Sequence, residues 1–222
     1  MKKISFIASL VFLLSAGVCI PASAQKLSGG IEAGFNVSRP TGTDKNKAGF
    51  NVGVFGELGL SRGWYLNAAL KLTLNPWENN YTYSTSWDGT QSGRDIFVVE
   101  KANPYSLVLP IHAGYKFNVA NNIQLFAAVG PYVGVGLGGN GKVKAFSGSN
   151  ANTFESESIS NVFGDDGPMR RFQVGFDARI GVEFLKHYIV SVGYDFQFNN
   201  MSSISGVKYH GQSFSVNLGY RF

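Results

Sequence analysis

The sequence predicts an all-β chain: an eight-stranded antiparallel up-and-down transmembrane β-barrel with short turns at one end and long loops at the other. Three observations predict it. Apolar and aromatic residues alternate with small or polar ones along eight separate segments, and alternation sustained over ten or so residues specifies strand and not helix. The apolar face of each segment is the bulky one, while the opposite face is mostly Gly, Ser, Asn, Ala and Gln. Charged residues make up only 15% of the 222-residue chain, against roughly 25% in soluble domains. A soluble barrel or jelly roll turns its apolar face inward and needs a wet exterior. Here the large face suits lipid and the small face suits a crowded interior.

The segments follow in order. "LSGGIEAGFNV" puts Leu27, Ile31, Ala33, Phe35 and Val37 on the apolar face, with Gly30, Glu32 and Asn36 opposite. "FNVGVFGELGL" sets Phe50, Val52, Val54, Leu58 and Leu60 against Asn51, Gly53, Phe55 and Glu57. "WYLNAALKLTL" sets Trp64, Leu66, Leu70 and Leu72 against Tyr65, Asn67 and Lys71. "YSLVLPIHAGYKF" and "IQLFAAVGPYVGV" continue the period, each with a proline inside it, Pro110 and Pro131. A closed barrel has no edge to shelter a proline, so each is expected to mark a bulge or local irregularity. "FQVGFDARIGVEF" and "YIVSVGYDFQF" are the sixth and seventh segments. The eighth, "SFSVNLGYRF", carries Phe214, Val216, Leu218, Tyr220 and Phe222 on one face. It is expected to pair with the first strand, because no backbone donor can be left open in lipid.

The connections agree with this reading. Those after the second, fourth and sixth strands are tight: "SRG", "NVANN" and "LKH". The others run about 38–47, 75–104, 138–170 and 199–211. Short turns inside and long loops outside are the outer-membrane pattern, and an even strand count puts both termini at the periplasmic end. Trp64, Tyr105, Tyr115, Phe117, Phe184, Tyr188, Phe198, Tyr220 and Phe222 sit near strand ends on the apolar face, the depth that interfacial aromatics prefer.

The N-terminus reads as a secretory signal peptide over residues 1–24: basic Lys2 and Lys3, an apolar run, then Ala22–Ser23–Ala24. Residues 25–222 form the barrel domain. Cleavage removes two lysines, taking the net charge from +5 to +3, too mild to argue for nucleic acid. It also removes Cys19, the chain's one cysteine, leaving no thiol chemistry.

The interior face carries Glu32, Glu57, Lys71, His112, Lys116, Asp177, Arg179, Glu183, Asp195 and Arg221. Five acids stand against four firm cations and a histidine, and this near-balance is what a self-satisfied buried network requires. An eight-stranded barrel is just wide enough for side chains to fill, so porin-like conduction is not expected. In the second long loop, "PWENNYTYSTSWDGT" gathers Trp77, Tyr81, Tyr83 and Trp87. These aromatics suit a recognition surface; the alternative is a loop folded down as a plug or lid over the mouth. The third loop, rich in Ser, Asn and Gly, reads as more mobile, and its "GLGGNGKVK" as a strand exit and flexible loop. "GDDG" reads as a solvated turn. His210, near Ser202, Ser203 and Ser205, with Asp165 and Asp166 in the third loop, is the one place for a hydrolytic site. No cofactor and no metal are expected.

The signal peptide, the glycine-rich "GGIEAGFNVS" strand, the short inner turns and the "NLGYRF" end together resemble the small outer-membrane β-barrel family of Bacteroidetes, the porin-family or PorT-like barrel domain. The resemblance implies a barrel in a Gram-negative outer membrane, reached through the periplasm. Some members of that family assist type IX protein secretion. It carries no agreed active site, so no functional residue transfers. The aromatic C-terminus also resembles the signal that the outer-membrane assembly machinery reads. The expected function is a non-enzymatic structural or interaction role through the outer loops. A narrow pore for ions or small solutes, and a lipid-modifying enzyme, are the alternatives. Expected partners are outer-membrane lipid and lipopolysaccharide, the assembly machinery, and a secretion-system or surface partner; nucleic acid is not among them.

Overall fold

The computed structural model describes residues 26–85, 94–147, 153–163, 167–204 and 206–222. Residues 1–24 of the expected signal peptide lie outside these, as do Trp87, Asp165, Asp166 and Ser205. The described residues form ten antiparallel strands: β1 (Lys26–Ser38), β2 (Lys47–Gly59), β3 (Trp64–Leu74), β4 (Trp77–Thr85), β5 (Arg94–Ala120), β6 (Ile123–Ser147), β7 (Thr153–Ile159), β8 (Phe172–Phe184), β9 (Tyr188–Gln197) and β10 (Gln212–Arg221). Eight of them close a ring in the order β1-β2-β3-β5-β6-β8-β9-β10, with β10 pairing back onto β1 from Gly30–Arg221 to Ser38–Ser213. The Phe222 N–H adds a bond to the Gly29 carbonyl at 2.9 Å. The eight-stranded transmembrane barrel is thus present, with the eight segments in their expected order.

Alternation is inverted relative to a soluble fold. Phe35 is 78% exposed and Leu218 65%, while Glu32 and Glu183 are 3% and 2% exposed. The aromatic girdle stands on the outer wall. Trp64 meets Tyr115 edge-on at 5.3 Å, and Tyr220 lies among Tyr188 at 5.5 Å and Phe222 at 6.0 Å. At the same end, the turn after β8 places Leu185 and Lys186 at φ 55° and 62°, the paired left-handed conformation of a tight hairpin.

Two loop expectations need correction. The second and third long connections are largely strand: β4 pairs with the upper part of β5, and β7 with the upper part of β6. "GLGGNGKVK" lies within β6 and is not a flexible exit. β5 and β6 run for 27 and 25 residues. About ten residues suffice for a tilted crossing, so more than half of each strand stands outside the hydrocarbon. Glycines in Gly138–Gly141 hid this continuation, since glycine carries little strand signal of its own.

The prolines mark an irregularity without a bulge. Pro110–Tyr132 and Ala113–Val129 belong to one register with pairing missing between them, and on the other side of Pro110 the β3–β5 ladder likewise keeps its register while lacking pairs at Leu109 and Pro110. A proline deletes a donor and does not insert a residue, so the ladder loses a bond while keeping its count. The register shifts on the β5–β6 ladder lie instead at Tyr105/Ser106 and Asn118/Ala120.

The interior also holds bulky aromatics that the period placed on the polar face. Phe55, Tyr65, Phe126 and Tyr132 are all buried. Each lies over a glycine: a Cβ on Gly30 would meet Phe55 at 2.4 Å, on Gly114 Tyr65 at 2.4 Å, on Gly175 Tyr132 at 2.5 Å and on Gly181 Phe126 at 2.6 Å. Small residues on one strand thus make room for a ring on another, and these rings fill much of the lumen. Tyr65 is further held edge-on to Phe126 at 6.5 Å and under the Lys116 ammonium at 4.9 Å. Replacing Gly114 with Val should therefore destabilise the barrel by about 1–3 kcal/mol through overpacking. Urea unfolding in lipid vesicles measures the loss, and Gly114→Val/Tyr65→Leu should recover part of it.

Candidate functional site

The lumen and the extracellular cap are the two places where chemistry could reside. All ten charged residues named from the sequence line the lumen, and they sort into levels. Nearest the periplasmic turns, Lys116 bridges Glu57 at 2.5 Å and Glu183 at 2.9 Å, and Arg221 bridges the same two acids at 2.9 and 2.8 Å. Two acids and two cations from β2, β5, β8 and β10 close a neutral square across the bore. Above it, Glu32 takes Lys71 at 2.7 Å and Arg179 at 3.1 Å, and Arg179 also donates to Ser191 at 3.1 Å. Higher still, fully buried His112 meets Asp177 through Nε2 at 3.1 Å. Asp195 is the register partner of both Asp177 and Ser213.

Free space follows these levels. Around the lower square only about 20 Å³ remains, close to one water molecule. Above, a polar chamber of about 70 Å³ lies among Asn51, Lys71, Gln173, Asp177, Asp195 and Gln197, with room for several waters. Among the described residues, no group of three or more His, Cys, Asp or Glu side chains is placed to hold a metal ion.

Over the chamber sits a cap with its own apolar core: Trp77, Ala102, Val162, Phe163, Met169 and Met201, with Ile159 and Tyr209 packed against it. All four long connections meet here. The Thr41 N–H donates to the His210 carbonyl, Val162 to Gly139, Arg170 to Met201, and Met201 to Tyr209. Asn36 donates to the Leu74 carbonyl at 2.8 Å, and Asn79 to the Tyr209 hydroxyl at 3.2 Å. A charged clamp joins the first connection to the second: Glu78, nearly buried, holds Lys45 at 2.8 Å, Lys101 at 3.2 Å, and Lys47.

The four aromatics grouped from the second loop are divided by the structure. Trp77 is buried in the cap core, 5.9 Å from Tyr209, and so is no exposed recognition residue. Tyr81 is exposed and donates to Glu100 at 2.9 Å. Tyr83 is described only through its backbone pairing with Ile96, and Trp87 lies outside the described residues. The fold therefore uses the base of this loop as a lid. The C-terminal row Phe214, Val216, Leu218 and Tyr220 on β10, with Phe222 just beyond it, faces lipid. His210 stacks on Phe196 at 6.1 Å, with its Nδ1 unpartnered among the described residues. Ser202 is engaged locally, accepting from the Ile204 N–H. No Ser–His pair forms among the described residues.

Sequence reading missed Val162, Phe163, Met169, Met201 and Tyr209, and with them the cap core. They are isolated apolar residues in polar stretches, and the only signal is their position in otherwise Ser- and Asn-rich loops. The Glu78 clamp was missed because its cations come from two separate connections, Lys45 and Lys47 from the first and Lys101 from the second.

Two outcomes follow. Glu183→Gln leaves Lys116 and Arg221 sharing one carboxylate in a nearly dry site. It should cost about 3–5 kcal/mol of barrel stability, read by urea unfolding in vesicles. In the cap, hydrogen bonds from Lys45 and Lys47 hold the Glu78 carboxyl down to about 2. A carboxyl depressed in the folded state contributes its full stability above the ordinary carboxylate range, and the contribution fades as pH falls toward 2. Limited pepsin digestion from pH 4.5 down to pH 2 should therefore show the cap opening as pH drops while the barrel stays resistant. Glu78→Gln should be cleaved in the cap already at pH 4.5.

Comparison with known proteins gives one family match and distant structural likenesses. No curated protein matches the chain. Ail, the attachment invasion locus protein of Yersinia pestis, solved in complex with the heparin analogue sucrose octasulfate, is 16% identical. The alignment covers 89% of this chain and 99% of Ail, with a TM-score of 0.39. Neisserial surface protein A is 12% identical over 90% of this chain and 100% of its own, with a TM-score of 0.44. OprG from Pseudomonas aeruginosa is 10% identical over 89% and 95%, with a TM-score of 0.34. Likenesses this distant carry no functional information. The model of the outer membrane protein beta-barrel domain matches residues 23–203, and with the closed, lipid-facing ring already described, the chain belongs to that family and resides in the outer membrane.

Proposed function

We propose that this protein is a non-enzymatic outer-membrane barrel that works through its extracellular cap, in a structural or interaction role with a secretion-system or surface partner. The observation that carries the reading is the lower lumen. A neutral square of Glu57, Lys116, Glu183 and Arg221 spans it and leaves about 20 Å³. Such a barrel is an anchor and not a conduit. Material that cannot pass must be met outside, and outside this chain builds a packed core from all four long connections. Membership in the PorT-like branch, with its link to type IX secretion, and export by an N-terminal signal peptide fit the same role.

The alternative is a narrow pore, favoured by the polar chamber with Lys71, Asp177 and Asp195 on its walls. Reconstitution in planar bilayers separates the two. Purified protein should show no stepwise conductance, and Lys71→Met should change nothing. Steps whose ion selectivity shifts with Lys71→Met would establish the pore and end the anchor reading. For the interaction role, a deletion strain should accumulate secreted proteins in the periplasm or lose a surface component. An unchanged secreted and outer-membrane proteome would remove the secretion version.

A further inference from the structure

The cap core is not completely filled. It leaves a cavity of about 130 Å³, open at a rim that includes exposed Ile204, whose walls include Trp77, Val143, Ile159, Val162, Met169 and Met201. Every long connection contributes: Pro40 from the first, Trp77 and Ala102 from the second, Val162 and Met169 from the third, and Met201 and Tyr209 from the fourth. Among the described residues, charge lines it only at Glu100 and Lys101. Below it lies the chamber in the barrel, which shares Pro40, Met169 and Met201 with this space but carries the amides, hydroxyls and carboxylates of Asn51, Gln173, Asp177, Asp195 and Gln197 that the cap cavity lacks.

Three properties decide what it can hold. Its size is close to the ~150 Å³ apolar cavity known to stay dry and to take up benzene. Its lining is apolar, and water gains little there, having too few partners. Its two methionines are flexible and polarisable, which suits contact with an aromatic ring of variable outline. A second, independent observation concerns polarity. Trp77 lines the cavity, is itself 8% exposed, and its indole Nε1 is buried with no hydrogen-bond partner among the described residues. A buried donor left unpaired is destabilising; the cavity does not reach Nε1 directly, and a small turn of the indole would bring it to an acceptor on a bound molecule, which would relieve it.

We propose that this cavity is a binding site for a small neutral apolar molecule, about one aromatic ring in size and bearing a single hydrogen-bond acceptor that meets Trp77 Nε1. The site deepens the reading of the cap as the working part of the protein and rests on it. Binding ties the four connections together, so occupancy should also slow exchange of the cap amides. The barrel below is unaffected, because no residue of the lower square borders the cavity.

The test uses the full barrel domain in lipid nanodiscs, with empty nanodiscs as the partition control. Fluorobenzene, followed by fluorine NMR, should show saturable binding above the control. Val143→Phe and Ile159→Phe each place a ring in the cavity and should weaken binding at least tenfold. Their folding is checked independently by heat-modifiable gel mobility. Benzaldehyde, which adds an acceptor, should bind more tightly than fluorobenzene to the wild type, and Trp77→Phe should abolish that difference. Saturable binding lost in the filled variants supports the site. No saturable binding by the wild type, or binding unchanged in both filled variants, overturns it. A benzaldehyde preference that survives Trp77→Phe overturns the role of Nε1. The outcome is separable from the conductance experiment. A conducting barrel that binds the ring overturns only the anchor reading, and a silent barrel that does not bind it overturns only this site.

Discussion

In hydrocarbon, a backbone N–H or C=O has no water to turn to, so every one must be paired within the chain. This chain meets that demand at the ladder between its last strand and its first, running from Gly30–Arg221 to Ser38–Ser213 and extended by the Phe222 bond to Gly29. Once the ring is closed, the inside and outside of the molecule are fixed for every residue, because side chains alternate along each strand. Leu27, Phe35 and Leu218 can then face lipid only if Glu32, Glu57 and Glu183 face inward.

That inversion creates the second problem, which the lumen resolves in two ways. Charges driven inside need partners, and Glu57, Glu183, Lys116 and Arg221 supply one another from four strands. Space must also be filled, and here the small side chains are as necessary as the large. Phe55, Tyr65, Phe126 and Tyr132 fit because Gly30, Gly114, Gly181 and Gly175 offer bare backbone beneath them. The cations join the two solutions, with Lys116 lying over Tyr65 and Arg179 over Phe126. Pairing and packing are thus one arrangement, and together they seal the barrel near its periplasmic end.

Above the membrane the constraint reverses. Water surrounds the long connections, so apolar side chains again belong inside, and Trp77, Val162, Phe163, Met169 and Met201 collect into a core of ordinary polarity. The Glu78 clamp and the backbone bonds among the four connections hold it over the mouth. One chain therefore carries two cores of opposite sense, joined by the long strands β5 and β6 that pass from one solvent to the other.

The sequence by itself determined the barrel. A period of two is a local property of strands, and eight alternating segments with a bulky outer face left one closed architecture consistent with lipid. It determined the ten interior charges for the same reason, since alternation assigns a face without knowing the fold. Three things only the tertiary structure decided. Which charges pair depends on register across a curved wall, so Lys116 finding both Glu57 and Glu183 was not legible. The inward rings were assigned to the polar face, yet their fit depends on glycines that lie across the sheet. The cap was hidden most completely, because Trp77, Val162, Met169, Met201 and Tyr209 show no period; long-range contact alone assembles them, and alternation carries no record of which loops will meet.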